Sequence, residues 1–240
     1  MYSHRALSRS QTRNRVSANQ SNTDSSVISN LTIKKLSNQN SLPQLFSNEK
    51  LGTSSLLANN SSLHIAVCSQ QGRRPYQEDQ YSIRTFLSPT KINDLIHDQK
   101  DSLKTHFFGL FDGHAGGRCS RELANSFPSF LADDPEYFND LPKALIRTFN
   151  VANTHFLKTA EKLKLHDGST GLCAIVRDKK LLVANVGDCR ALLISADFPV
   201  PMSFDQKPNN PEEIKRIISF GGSVEMCNGN CVLNKISLHN

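Results

Sequence analysis

The run His106-Phe107-Phe108-Gly109-Leu110-Phe111 delivers Asp112 into the glycine-rich corner Gly113-His114-Ala115-Gly116-Gly117. The pattern reads as a buried strand ending at a hard-cation site. The Asp112 carboxylate and the unobstructed Gly113 carbonyl are oxygen donors, and His114 can carry a proton near neutral pH. The same letters also spell a strand followed by an Asp-Gly turn. Further chemistry-bearing residues stand at Arg74, Glu78 and Asp79 upstream and at Asp188 downstream. Neighbouring carboxylates on an extended chain point to opposite faces, so Glu78 and Asp79 need not share a role. Carboxylates joined by a backbone carbonyl select magnesium or manganese over zinc. Arg74 adds a planar cation able to grip two phosphate oxygens, and metal plus arginine points to phosphoryl hydrolysis. Taken singly, Arg74 is a surface charge, Glu78 a strand-edge charge and Asp188 the first residue of a hairpin turn. No Gly-Lys-Ser/Thr follows the glycines after His114, which excludes a P-loop.

Strands and helices must bring these positions together. Leu63 to Cys68 is β-prone, and Gln80 to Phe86 alternates as a second strand before the central run that ends at Asp112. Cys119, Leu123, Phe127 and Phe130 share one face of a helix starting near Gly116, which Pro128 is expected to end or kink. A second helix is expected from Leu141 to Leu165, with Leu145, Phe149, Ala152, Phe156 and Ala160 as its core stripe. Gly168 to Val176, Leu181 to Val186 and Cys189 to Ile194 then read as three linked antiparallel strands, the first two joined by the turn Arg177-Asp178-Lys179-Lys180. Pro211 to Ile218 is a helix with proline and acids in its first turn. Periodicity fades beyond Val224. Strands on both sides of two central helices imply an antiparallel α+β protein whose strand ends meet in one cleft.

The 240 residues are enough to bury a sizeable core. Residues 1–61 are rich in Ser, Asn and basic groups and too poor in apolar ones to offset the entropy of ordering, so they are expected to be a disordered basic tail. That tail accounts for much of the formal charge of +6. It lacks the interleaved aromatics of a nucleic-acid binder and the amphipathic helix of a membrane binder, so neither partner is expected. Its resemblance to an organelle transit peptide ranks below plain disorder. Cys68, Cys119, Cys173, Cys189, Cys227 and Cys231 are scattered, most of them in apolar runs, and read as reduced core residues; Cys227, Cys231 and His239 lack the paired spacing of a zinc site. A monomer in the cytosol, or in the nucleus, is expected.

Five segments stand in a recognisable order: Arg74-Pro75-Tyr76-Gln77-Glu78-Asp79, Phe108 to Gly116, Gly168-Ser169-Thr170-Gly171, Val183 to Ala191, and Asp205-Gln206-Lys207-Pro208 through Glu213, Arg216-Ile217 and Gly221 to Val224. In them the chain resembles the metal-dependent protein phosphatases of the PPM type, the class 2C serine/threonine phosphatases. The resemblance implies an antiparallel β-sandwich flanked by helices on both outer faces, with a cleft for two Mg2+ or Mn2+ ions at one end. It implies that Asp112 bridges the two metals, that Glu78 and the Gly113 carbonyl ligate one of them, and that Asp79 is a partly water-mediated neighbour. Arg74 is similar to the family's phosphate-binding arginine and His114 to its general acid. Asp188 matches an aspartate that helps hold an additional, weaker metal. The implied substrate is a phosphoprotein.

The resemblance covers residues 62–224, leaving 225–240 as a divergent tail. Two downstream metal-binding aspartates of the family have no counterpart, and none of Asp197, Asp205, Glu212, Glu213 or Glu225 stands in a context that replaces them. The chain is therefore expected to be a C-terminally truncated member, with weak or no turnover of its own. The alternative is a phosphatase-fold adaptor that binds a signalling partner without catalysis.

Overall fold

The computed structural model describes residues 32–37, 63–89, 104–194, 198–227 and 230–234. The rest of the basic tail, the 90–103 loop and His239 lie outside the described residues. So do the side chains of Cys227 and Cys231, and with them the rejected zinc site. Five strands form one antiparallel sheet in the order β1-β7-β6-β3-β2. They are β1 (Thr32–Ser37), β2 (Gln80–Arg84), β3 (Thr105–Phe111), β6 (Gly171–Arg177) and β7 (Lys180–Val186). Three ribbons complete the strands: β4 (Gly113–His114) with β5 (Gly168–Ser169), β8 (Leu192–Ile194) with β9 (Pro199–Pro201), and β10 (Ser223–Cys227) with β11 (Asn230–Asn234). The helices are α1 (Arg118–Ala132), α2 (Leu141–Leu163) and α3 (Pro211–Ser219). The α+β class is as the sequence implies. Among the described residues no helix is long and apolar enough to cross a membrane.

The alternation of β3, β6 and β7 sorts their side chains onto two apolar faces. Phe107, Phe111, Cys173, Ile175, Leu182 and Ala184 pack under α1 and α2 against Phe127, Leu131, Leu145 and Phe149. Gly109 sits between Phe107 and Phe111, and an added Cβ would lie 2.9 Å from the Phe111 ring, so a glycine lets those rings close over Phe127. On the other face Leu172, Ala174, Leu181 and Val183 meet Leu193 and Val200 of the β8–β9 ribbon and Met202 just after it. Beside that ribbon lies a hollow of about 320 Å³ lined by Ile65, Val67, Tyr81, Ile83, Phe108 and Leu110 among others. Among the described residues the ribbon is therefore the part of a second layer present.

Several elements differ from expectation. β1 falls within the tail expected to be disordered, yet its backbone pairs with β7 from Thr32↔Asn185 to Ser37↔Lys180. The open ladder of β7 supplies the hydrogen bonds that so polar a segment cannot supply for itself. Leu63 to Cys68 keeps its alternation, with Leu63, Ile65 and Val67 half-buried and His64, Ala66 and Cys68 exposed, but enters no ladder. α1 runs through Pro128, because burial of Phe127, Pro128 and Leu131 outweighs the lost backbone hydrogen bond. β8 leaves the sheet rather than adding to β7, since Gly187 turns with φ +100° and Ala191 is held by the Ser203 hydroxyl. Only two of the three expected strands therefore form the hairpin, turning at Asp178 and Lys179 with φ of 50° and 60°. The β10–β11 ribbon occupies the stretch where periodicity fades and crosses the 224/225 boundary. Cys68, Cys119, Cys173 and Cys189 are free thiols; Cys119 and Cys173 are in the core as expected, whereas Cys189 is half-buried and Cys68 exposed.

Two arginines tie the helical layer down. Arg177 donates to Tyr137 O at 2.6 Å and Thr105 Oγ1 at 2.8 Å and lies over the Tyr137 ring. Arg147 grips Asp134 through Nε and Nη2 at 2.9 and 2.5 Å. Burial alone would raise the Asp134 carboxyl. The hydrogen bonds from Arg147 and the Glu136 N–H, with the charges of Arg147 and Lys143, hold it below the ordinary range instead. A carboxyl lowered on folding adds stability above its unfolded pKa and loses it as pH falls through the folded value. Arg147→Ala should therefore cost about 0.5–1 kcal/mol near pH 7, Arg147 being 38% exposed and its pair solvent-screened. The urea midpoints of parent and variant should converge as pH falls below the ordinary carboxylate range; an equal gap at neutral and at acid pH would refute the assignment.

Candidate metal and phosphate site

The register of the sheet places the chemistry-bearing residues at one edge. Gln80 opens β2 opposite Phe111 at the end of β3, so Asp79 and Asp112 leave the sheet side by side. Gly171 opens β6 opposite Val186 at the end of β7, which brings Thr170 and Asp188 to the same end. Antiparallel neighbours alternate entry and exit there, so residues far apart in sequence share one corner.

Asp112 is pinned through its backbone. Its N–H donates to Thr170 Oγ1 at 3.0 Å, and the Thr170 N–H donates to the Asp112 carbonyl at 2.9 Å. Burial raises its carboxyl above the ordinary range, and the charges of Asp79 and Asp188 and a hydrogen bond shared with Asp79 raise it further, against the pull of Arg74. The corner thus gathers negative charge that no side chain fully neutralises, the electrostatic condition for binding a cation.

Glu78 holds the following loop. Its Oε1 accepts from the Gly116 N–H at 2.8 Å, its Oε2 lies 3.6 Å from the Arg74 guanidinium, and its carbonyl accepts from the Ser120 hydroxyl at 2.5 Å. Gly113 is buried beneath that carbonyl. His114 pairs with Gly168 across β4–β5, and its ring lies where a Cβ at Gly168 would stand. Ala115 and Gly116 then turn with φ of 57° and 138°. Asp188 lies 3.8 Å from Lys207, beside the bidentate Arg190–Asp205 pair. The hydrogen bonds from Arg190, outweighing slight burial, and the Arg190 and Lys207 charges hold the Asp205 carboxyl below its usual range. Gln206 closes this side, accepting from the Gly187 N–H at 2.7 Å and donating its own N–H to the Gly187 carbonyl at 3.0 Å.

The structure brings Arg74, Asp79 and Asp188 each within electrostatic reach of Asp112 and packs the Glu78 carbonyl over Gly113. It sets His114 on the adjoining ribbon. Among the described residues no three Asp, Glu, His or Cys side chains converge closely enough to enclose a metal ion. The donor set fits a hard divalent cation in kind, being all oxygen and short of positive charge, and is open in geometry. Sequence reasoning gave no role to Thr170, Ser120, Asp167 or Gln206. Thr170 and Gln206 stood within the motif segments, and the other two had no signal beyond their polar character.

A family model described as protein phosphatase 2C matches residues 63–236. A rice protein named probable protein phosphatase 2C 55 is 38% identical over 157 residues, covering 65% of this chain and 38% of that protein. An Arabidopsis thaliana protein named probable protein phosphatase 2C 76 is 34% identical over 163 residues, covering 68% and 36%. The chain thus spans well under half the length of these relatives. Among solved structures, a serine-threonine phosphatase 2C from Toxoplasma gondii superposes with a TM-score of 0.53 at 23% identity, over 65% of this chain and 54% of that one. A C. elegans sex determining protein gives 0.58 at 20% identity, over 68% and 39%. Both share the fold.

Proposed function

The chain belongs to the protein phosphatase 2C family, and from that premise we propose that its acidic corner serves metal-dependent hydrolysis of phosphoserine and phosphothreonine in proteins. The observation that carries the reading is Asp112: a carboxylate at a strand end, pinned by Thr170 and crowded by Asp79 and Asp188. Magnesium or manganese, when bound, supplies charge neutralisation and an acidified water. In this reading Asp112, Glu78 and the Gly113 carbonyl would hold the cation, and Asp79 would act through water. Asp188 serves a weaker site. Arg74, 75% exposed on its side chain and, among the described residues, tethered by Glu78 at 3.6 Å, can swing onto a phosphate. His114 protonates the departing serine or threonine oxygen. The protein acts as a monomer in the cytosol or nucleus.

The described carboxylates supply ligands for about one cation, so one bound Mn2+ and slow release of phosphate from a phosphothreonine peptide are expected. Arg74→Ala should raise KM about tenfold or more while leaving Mn2+ affinity in place, because it removes a bidentate anion contact. Turnover that survives chelation would overturn the reading. The open donor geometry favours one second reading, a phosphatase-fold adaptor. Phosphopeptide binding without any Mn2+ uptake in calorimetry would support it instead.

A further inference from the structure

The connection between α2 and β5 packs against the turn that follows the metal corner. Asp167 ends that connection, and its Oδ2 accepts from the Arg118 N–H, the first of α1, at 2.8 Å. Gly117, the residue at the N-cap, offers no side-chain cap of its own, so this carboxylate from a distant loop fills the vacancy. The same carboxylate lies flat against Gly116: a Cβ added there would collide with both of its oxygens and its Cγ. The next residue, Gly168, sits under the His114 ring and pairs with it across β4–β5.

Resting on the phosphatase reading, we propose that Asp167 is a positioning residue that holds the Asp112–Gly113 corner in its ligating shape. The turn it braces contains two consecutive residues of positive φ, Ala115 and Gly116. Such a turn persists only where its surroundings over-determine it. Glu78 fixes it through the Gly116 N–H, and Asp167 fixes it separately through the Arg118 N–H and contact at Gly116. With either brace gone, the turn relaxes, and the Gly113 carbonyl three residues before Gly116 loses its direction. The required property of residue 167 is an acceptor oxygen at that point, not a charge. An asparagine there keeps the acceptor, and an alanine does not.

Asp167→Ala and Asp167→Asn should therefore separate. Titration calorimetry with Mn2+ and amide hydrogen exchange at Gly116 are both read well below the melting temperature of each variant. Asp167→Ala is expected to weaken Mn2+ binding about tenfold, in the range of a lost outer-shell partner. It should also speed exchange at Gly116, whose N–H bonds to Glu78 and not to Asp167. Asp167→Asn should stay near the parent in both. A lower melting temperature for Asp167→Ala with unchanged Mn2+ affinity and unchanged Gly116 exchange would reduce Asp167 to a helix cap and overturn the proposal. An Asn variant as impaired as the Ala variant would overturn it too, since charge would then be the property used. Should the parent bind no Mn2+, the phosphatase reading fails, and the Gly116 exchange alone decides whether Asp167 braces the turn.

Discussion

Asp112→Asn is expected to weaken Mn2+ binding by more than about 100-fold, since loss of a mere outer-shell partner already costs about 10–100-fold. Any Mn2+-dependent phosphate release should fall with it. The side chain keeps its size, and the backbone bonds to Thr170 do not involve it, so the corner itself should persist. What disappears is the charge that burial and the neighbouring Asp79 and Asp188 make costly in the folded protein. The variant should then be the more stable protein when a chelator is present, because one member of a repelling group has been neutralised and an amide can still donate to Asp79. With saturating Mn2+ the order should reverse, since ligand binding to the folded state stabilises the parent alone. Urea midpoints in chelator and in Mn2+ check this directly. A variant less stable than its parent under both conditions would mean that Asp112 is a structural carboxylate.

That sign reversal depends on side chains contributed by three separate strand ends, and the sequence announced only part of it. β3, β6 and β7 were legible because apolar side chains stand on both faces of those strands, so near-continuous apolar runs mark them. α1 and α2 were legible because each carries a one-sided stripe. Asp79 and Asp112 could be placed at strand ends from the point where the runs stop. Partners across long distances were not legible. Asp167 and Arg118 stand 49 residues apart and meet through a backbone N–H, which has no letter in the sequence. Thr170 reaches Asp112 over 58 residues in the same way. β1 escaped notice because its order is lent by the edge of β7. Leu63 to Cys68 has the alternation of a strand, and whether such a segment enters a ladder depends on a neighbour it does not itself encode.

The glycines of the corner separate into those that need to be glycine and one that does not. Gly113→Ala is expected to destabilise the fold by about 1–3 kcal/mol through overpacking. Its new Cβ would stand 2.7 Å from both the Glu78 carbonyl and the Ser120 hydroxyl, and 3.1 Å from the Gly116 carbonyl. The Glu78 carbonyl is backbone, fixed by the strand that begins at Gln80, and cannot swing aside. The Ser120 hydroxyl can rotate, but only by giving up its 2.5 Å bond to that carbonyl, worth about another 1 kcal/mol. Relief would have to come from lifting Glu78 off the turn, which carries the carboxylate and its bond to Gly116 with it. Gly117→Ala is the control. Its Cβ would meet nothing closer than 3.6 Å, and its φ of −105° suits any residue, so a loss of about 0.5 kcal/mol or less is expected from the poorer N-cap. Urea denaturation of the two variants measures the difference, and equal losses at 113 and 117 would show that the close approach of Gly113 to Glu78 is not what shapes the corner.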